Sequence, residues 1–337
     1  MIRRRDLAGL AAVAAAAPAG ALAGAPGVAL ATGRLVTDRL RSAHVPGETP
    51  VSIYLPPECE AAAGRAYPLL LLLHGGGGSE ADLARVASVV DAAIAGGRTV
   101  PLVIAMPSAG RSLYMDYRDG SERWESFILE ELVPHLRATL PVGRTRRHLF
   151  VGGWSMGGLG ALRLAFKHPE TFAAVAALEP AVEPALAWSE IGPEVKFWRP
   201  DAIYERIFGA PVDAAYWAAN NPATLAARDP RGLIDLGVYL EVGDQDMLYL
   251  AQGVEFLHRV LFDAGVAHEY RLVRSAEHVG PSLGPRLADA LAFIGRQIEP
   301  PAWVDGQVIE ARAAMDERKR AAGLPVEAPD PRRIRRW

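Results

Sequence analysis

Gly153-Trp154-Ser155-Met156-Gly157 follows an apolar run, Leu149-Phe150-Val151, and opens an Ala- and Leu-rich segment. Strand, sharp turn and helix in that order form the setting of a nucleophile elbow. There the serine occupies a strained turn, and small flanking residues let strand and helix backbones approach while Oγ points outward. A bare G-x-S-x-G also fits an ordinary glycine-rich turn carrying a bystander serine, so the motif gains weight only from its surroundings.

A second signal lies upstream. Leu69 to Leu73 is an unbroken apolar run that reads as a strand buried on both faces, and it ends directly in His74-Gly75-Gly76-Gly77-Gly78. Such a loop exposes backbone N–H groups and leaves room for a substrate. Acyl transfer passes through a tetrahedral oxyanion, and each donor fixed in advance contributes about 3 kcal/mol to stabilising it. In this geometry one N–H comes from the residue after the serine, Met156, and another from the glycine loop, Gly76 with Gly75 as the alternative. The competing reading is a flexible linker. Against it, Ser79-Glu80-Ala81-Asp82 reads as a capping box that starts a helix and anchors the loop at its far end.

A serine hydroxyl is a poor nucleophile at neutral pH, so the reading demands a histidine base and an orienting carboxylate, both following Ser155 in the order Ser, acid, His. Gly237-Val238-Tyr239-Leu240-Glu241-Val242 reads as a strand ending in Gly243-Asp244-Gln245-Asp246. Catalytic groups gather at such carboxyl ends in open α/β sheets. Asp246 is favoured as the acid and Asp244 stays open; either also reads as a turn carboxylate. The next strand, Glu269 to Val273, leads to Ser275-Ala276-Glu277-His278, which makes His278 the candidate base. His44, His135, His148, His168, His258 and His268 fall before the elbow, on helices or at strand starts and read as structural. No histidine pair has metal-ligand spacing and Cys59 is the single cysteine, so neither a metal site nor a cofactor is expected.

These residues resemble the esterase D type of α/β-hydrolase, a family that includes S-formylglutathione hydrolases, feruloyl and acetyl-xylan esterases, enterochelin esterases and mycolyltransferases. The likeness runs from about Val36 to Ile298. It rests on Leu73 to Glu80, on Trp124-Glu125-Ser126-Phe127 with Glu131-Leu132-Val133-Pro134, on Gly153 to Gly158, and on Lys167-His168-Pro169 before Phe172. The resemblance implies an acid three residues after a glycine, which falls on Asp246 after Gly243. It also implies a tryptophan soon after the histidine in many members. His278-Val279-Gly280-Pro281-Ser282-Leu283 has none, so a different pocket wall is expected there.

The whole chain organises around this. Strands expected near Leu35, Val51, Leu69, Leu102, Leu149, Ala174, Val238 and Tyr270 alternate with helices near Ala81, Glu122, Leu159, Leu248 and Leu287. That alternation implies an α/β fold with a mostly parallel sheet covered by helices on both faces, which the resemblance makes an α/β-hydrolase with a small cap. The catalytic domain is expected over residues 32–300. Within it a cap insertion at about 181–231 carries Trp188, Phe197, Trp198, Tyr204, Phe208, Tyr216 and Trp217. These aromatics either shape acyl or alcohol specificity or pack the cap onto the sheet domain.

Residues 301–337 form a charged extension ending Arg332-Arg333-Ile334-Arg335-Arg336-Trp337. At the other end, Arg3-Arg4-Arg5-Asp6-Leu7 precedes an Ala/Gly-rich stretch to about Ala31, which reads as a twin-arginine-like export signal. It lacks the roughly 20 strongly apolar residues that span a bilayer, and it has no cysteine to take a lipid, so no stable membrane anchor is expected. A formal net charge of −3 gives no reason to invoke nucleic acid. The expected substrate is a small-molecule or carbohydrate-linked ester, hydrolysed through an acyl-enzyme. Acyl transfer to another alcohol, or a catalytically silent binding protein on the same fold, are the alternatives; the oligomeric state is left open.

Overall fold

The computed structural model describes residues 31–57, 59, 64–196, 199, 201–301 and 306–326. Residues 1–30 of the export-signal reading, Phe197, Trp198 and the terminal arginine run therefore lie outside the described residues. Eight strands form one sheet: β1 (Arg34–Arg41), β2 (Glu48–Leu55), β3 (Leu69–Leu73), β4 (Val103–Pro107), β5 (Leu149–Trp154), β6 (Ala174–Leu178), β7 (Gly237–Gly243) and β8 (Glu269–Val273). Their spatial order is β1-β2-β4-β3-β5-β6-β7-β8. β2 pairs antiparallel with β1 and β4, and every other neighbouring pair is parallel.

The leucine run of β3 shows why the sheet is doubly covered. Leu69, Leu71 and Leu73 join Val103 and Val151 in a core sealed by the Met156–Lys167 and Ala251–Asp263 helices. Leu70 and Leu72 join Ile104 and Phe150 on the opposite face, under the Asp82–Ala95 and Leu283–Ile298 helices. Side chains alternate across a strand, so a central parallel strand with helices above and below needs apolar residues at every position.

Two motifs far apart in the chain meet in space. Glu125, in Trp124-Glu125-Ser126-Phe127, is buried and accepts hydrogen bonds from Lys167 Nζ and His168 Nε2, each at 2.8 Å. Burial alone pushes this carboxyl up, but the two donors and the lysine charge together hold it below the usual carboxylate range.

The helix after the glycine loop does not begin as a capping box. It starts at Asp82, and Ala81 already has helical φ and ψ of −66° and −19°. Ser79 Oγ accepts from Ala81 N at 3.2 Å, and Ser79 O accepts from Asp82 N at 3.1 Å. The serine therefore closes a tight turn ahead of the helix, because the chain is already winding where a cap residue would be extended.

Between β6 and β7 lie short helices at Pro193–Lys196, Asp201–Phe208, Ala214–Asn220 and Pro222–Arg228. The insertion's aromatics pack on each other, with ring centroids 4.9 Å apart for Trp188 and Tyr204 and 6.0 Å for Trp188 and Trp217. Arg163, buried in the helix after Ser155, donates to Asn220 O at 2.8 Å and to Leu113 O, tying the insertion to that helix. Past the sheet domain, the Gly306–Ala321 helix has no buried residue. Among the described residues no helix is long and apolar enough to cross a membrane.

Candidate active site

Ser155 stands between β5 and the Met156–Lys167 helix with φ 54° and ψ −119°, a conformation that costs a non-glycine residue about 1–3 kcal/mol. The surroundings over-determine it. Ser155 N donates to Leu178 O at 3.0 Å, and its carbonyl accepts from Leu159 N at 3.0 Å and Ala181 N at 3.2 Å. The flanking glycines have a steric reason. A Cβ on Gly157 would lie 2.0 Å from Leu73 O, and one on Gly153 would lie 2.5 Å from the same oxygen. That oxygen is backbone of β3 and cannot swing aside. Gly157→Ala is therefore expected to destabilise the protein by about 3 kcal/mol or more, read as a lower urea midpoint with unchanged slope. A midpoint equal to that of the parent would mean that β3 and the helix can separate freely.

The structure brings Ser155, His278 and Asp246 together from three loops at the carboxyl edge of the sheet. Ser155 Oγ lies 3.0 Å from His278 Nε2, and His278 Nδ1 lies 2.8 Å from Asp246 Oδ2. A carboxylate partner fixes the ring proton on Nδ1 and leaves Nε2 free to accept from the serine hydroxyl. Asp246 is itself held: Oδ1 accepts from Leu248 N at 2.7 Å and its carbonyl from Tyr249 N at 3.0 Å. Asp244 does not reach the imidazole. Its Oδ1 accepts from Ser275 N at 2.6 Å and its Oδ2 lies 3.7 Å from Arg274 Nε, so it ties the loop after β7 to the loop after β8.

On the other side of Ser155 lies the glycine loop. Among the described residues the N–H groups of Gly75, Gly76 and Met156 find no protein acceptor. A Cβ on Gly76 would sit 3.9 Å from Met156 Cβ, whereas one on Gly75 would face the Trp154 ring at 3.1 Å. The loop is anchored by His74, which is wholly buried. Its Nε2 accepts from Ala109 N at 3.0 Å, so Nδ1 carries the proton and donates to Gly75 O at 2.8 Å. Burial holds this imidazole below its ordinary pKa despite the hydrogen bond to Gly75 and the nearby carboxylates of Asp82 and Glu80.

The serine opens into a cavity of about 570 Å³. Its walls are mostly apolar, with Asp82, Arg85, Arg111 and Arg199 as the charged groups. The insertion contributes Ala181, Arg199 and Ile203, and none of its described aromatics lines the cavity; Tyr204, Phe208 and Trp217 are buried in the core instead. After His278, where the resemblance implied a tryptophan, Val279 and Leu283 line the cavity with aliphatic side chains.

The remaining histidines pair away from Ser155: His44 with Glu130, His135 with Asp38, His148 with Thr145, His168 with Glu125, and His258 with His268. Cys59 is buried.

The family model described as "Putative esterase" matches residues 42–283, well over half of the chain. The chain belongs to the esterase family. An acetyl esterase of Caldicellulosiruptor saccharolyticus is 32% identical over 113 residues, which is 34% of this chain and 41% of that protein. An esterase of Mycobacterium tuberculosis is 27% identical over 254 residues, covering 70% of this chain and 54% of the relative. The chain thus spans about half the length of the curated relatives it matches. A solved ferulic acid esterase, 24% identical, aligns with a TM-score of 0.67 over 79% of this chain and 99% of its own, which shows the α/β-hydrolase fold.

In this member of the esterase family, the site holds charged groups that no motif announces. Glu179, at the end of β6, is fully buried with φ 40°, and Arg286 Nη2 donates to its Oε1 at 2.8 Å. Arg286 Nη2 also reaches the carbonyls of Glu277 and His278 at 2.9 Å, and Nη1 lies 3.5 Å from Glu241 Oε1. Burial pushes the Glu179 carboxyl up to about 7, with Asp246 adding to the rise while Arg286 and His278 oppose it. Burial raises Glu241 as well, against the hydrogen bond from Tyr239 Oη. After the alanine-rich strand β6, Glu179-Pro180 reads locally as a turn carboxylate; only its pairing with Arg286 across the fold distinguishes it. Glu179, Asp246 and His278 each offer a ligand atom, all within 4.8 Å of one another. Asp246 Oδ2 and His278 Nδ1 already bond to each other, and Arg286 supplies the positive charge beside Glu179.

Proposed function

We propose that this protein is a serine esterase that hydrolyses a carboxylic ester through an acyl-enzyme. The observation that carries the reading is the unbroken line of hydrogen bonds from Asp246 through His278 to Ser155, ending in a cavity. Ser155 attacks the ester carbonyl while His278 Nε2 takes its proton and then returns it to the leaving alcohol. Asp246 holds the imidazole tautomer and stabilises the imidazolium. The oxyanion is received by the N–H groups of Gly76 and Met156, whose lack of internal acceptors supports that role. Water then enters, His278 acts as base a second time, and the acid leaves.

A mostly apolar cavity of about 570 Å³ suits a small acyl group with a compact alcohol, and an acetyl esterase is among the related proteins. The test is a panel of acetyl, butyryl, octanoyl and feruloyl esters, each with and without an added alcohol. Free acid as the product is expected throughout. A new ester formed with the added alcohol would move the assignment to acyl transfer.

The basic start and Ala/Gly-rich stretch before Ala31 support export as part of this reading. The mature protein is expected to begin near Gly24 or Thr32 when its mass is measured. Replacing Arg4 and Arg5 by Lys is expected to stop export; unaltered export would point to the general secretory route.

A further inference from the structure

We propose that Glu179 is a second acid for His278, a positioning residue that accepts the imidazole Nδ1–H when Asp246 is missing. The inference rests on the triad reading above and extends it. Glu179 Oε2 lies 3.8 Å from His278 Nδ1, and it is buried without a hydrogen-bond partner among the described residues. An orphaned carboxylate oxygen in the interior is costly, and here it sits beside the ring that must become positive during reaction. The other oxygen, Oε1, is held by Arg286, which also grips the backbone carbonyls of Glu277 and His278. One guanidinium therefore fixes both the second carboxylate and the loop that carries the histidine.

The backbone points the same way. Glu179 has φ 40°, a left-handed conformation that a non-glycine residue adopts at a cost, and its N–H is committed to Glu241 O at 2.6 Å. The strain turns the side chain inward at the carboxyl end of β6, next to the loop after β7 that supplies Asp246. Two acids thus approach one imidazole from neighbouring strand ends, with Asp246 in contact at 2.8 Å and Glu179 just beyond hydrogen-bond range at 3.8 Å.

What happens when Asp246 is replaced depends on what replaces it. An asparagine fills the same space, and its amide donates to Nδ1, which leaves the proton on Nε2 and disables the base. An alanine vacates the space and removes a negative charge. Without that charge Glu179 ionises more readily, and the ring closes the remaining gap to Oε2. Proton traffic at Nε2 is unchanged: the serine proton goes to Nε2 and on to the leaving alcohol, while Nδ1 keeps its own proton throughout.

The experiment compares Asp246→Ala with Asp246→Asn, each with and without Glu179→Gln, in the full chain with p-nitrophenyl acetate as substrate. Asp246→Ala is expected to keep a kcat at least tenfold above that of Asp246→Asn, and Glu179→Gln is expected to erase that advantage. Proton NMR of the Asp246→Ala protein supplies a second readout that needs no further variant. A strongly downfield imidazole N–H of His278 is expected to persist after phosphonylation of Ser155. Equal kcat for the Ala and Asn variants, or loss of the downfield proton in Asp246→Ala, would overturn the proposal. Ser155→Ala in the same assay separates the two claims. If it is inactive while the Ala and Asn variants are equal, the esterase reading stands and only Glu179 loses its role; if it is active, the triad reading itself falls.

Discussion

Ser155→Ala is expected to lower kcat for ester hydrolysis by about 10⁵- to 10⁶-fold, because removing Oγ closes the acyl-enzyme route and leaves only binding and the oxyanion donors. The fold should be untouched. The strained φ of 54° is as available to alanine as to serine, and the backbone bonds to Leu178, Leu159 and Ala181 do not involve Oγ. Among the described residues the only side-chain bond lost is the one to His278 Nε2. Stability in urea is therefore expected to stay within about 1 kcal/mol of the parent. An organophosphonate should label the parent once, at Ser155, and the variant not at all. Hydrolysis near the parent rate by a folded Ser155→Ala protein would remove the serine from the mechanism, and a stoichiometric label on another serine would relocate it.

Asp246→Asn is expected to cut kcat by about 10³- to 10⁴-fold with little change in KM, since the loss falls on stabilising the imidazolium and not on holding the substrate. Asp244→Asn is expected to cost less than about tenfold, because its carboxylate braces Ser275 N and Arg274 and not the ring. Steady-state kinetics on the two variants, with circular dichroism to check folding, decides the matter. A large loss at Asp244 with a small one at Asp246 would contradict the hydrogen-bond geometry on which the assignment is built. Small losses at both would make the orienting carboxylate another group, with Glu179 the nearest at 3.8 Å.

The difference between these two aspartates shows where sequence reasoning stops. Gly243-Asp244-Gln245-Asp246 at the end of an apolar strand locates a pair of carboxylates on the functional edge of the sheet. Both residues also read as turn acids, and although the sequence favours Asp246 and the resemblance to a family adds to that, neither excludes Asp244. In space the two diverge. Asp244 turns toward the loop after β8 and meets a backbone N–H, whereas Asp246 folds under the histidine and meets Nδ1. The cap aromatics show the same limit from the other side. Their composition suits either a substrate pocket or a packed core, and their burial on the inner faces of the Asp201–Phe208 and Ala214–Asn220 helices assigns Tyr204, Phe208 and Trp217 to packing.

By itself the sequence determined the layered architecture and the edge of the sheet where chemistry-bearing residues collect. Those features come from rules that act over a few residues. Consecutive leucines at 69–73 require cover on both faces, glycines at 153 and 157 permit close approach to Leu73, and strands ending in Gly243 or Val273 deliver their following loops to one side. Tertiary structure alone decided which acid touches the ring, and it buried Glu179, Glu241 and Arg286 together around His278. Arg286 and Glu179 are 107 positions apart and sit on different layers of the fold. Their pairing follows from the order of strands β6, β7 and β8 and from the helix laid across them. A charged side chain carries no mark in the sequence of the partner that neutralises it, because that partner is chosen by the fold.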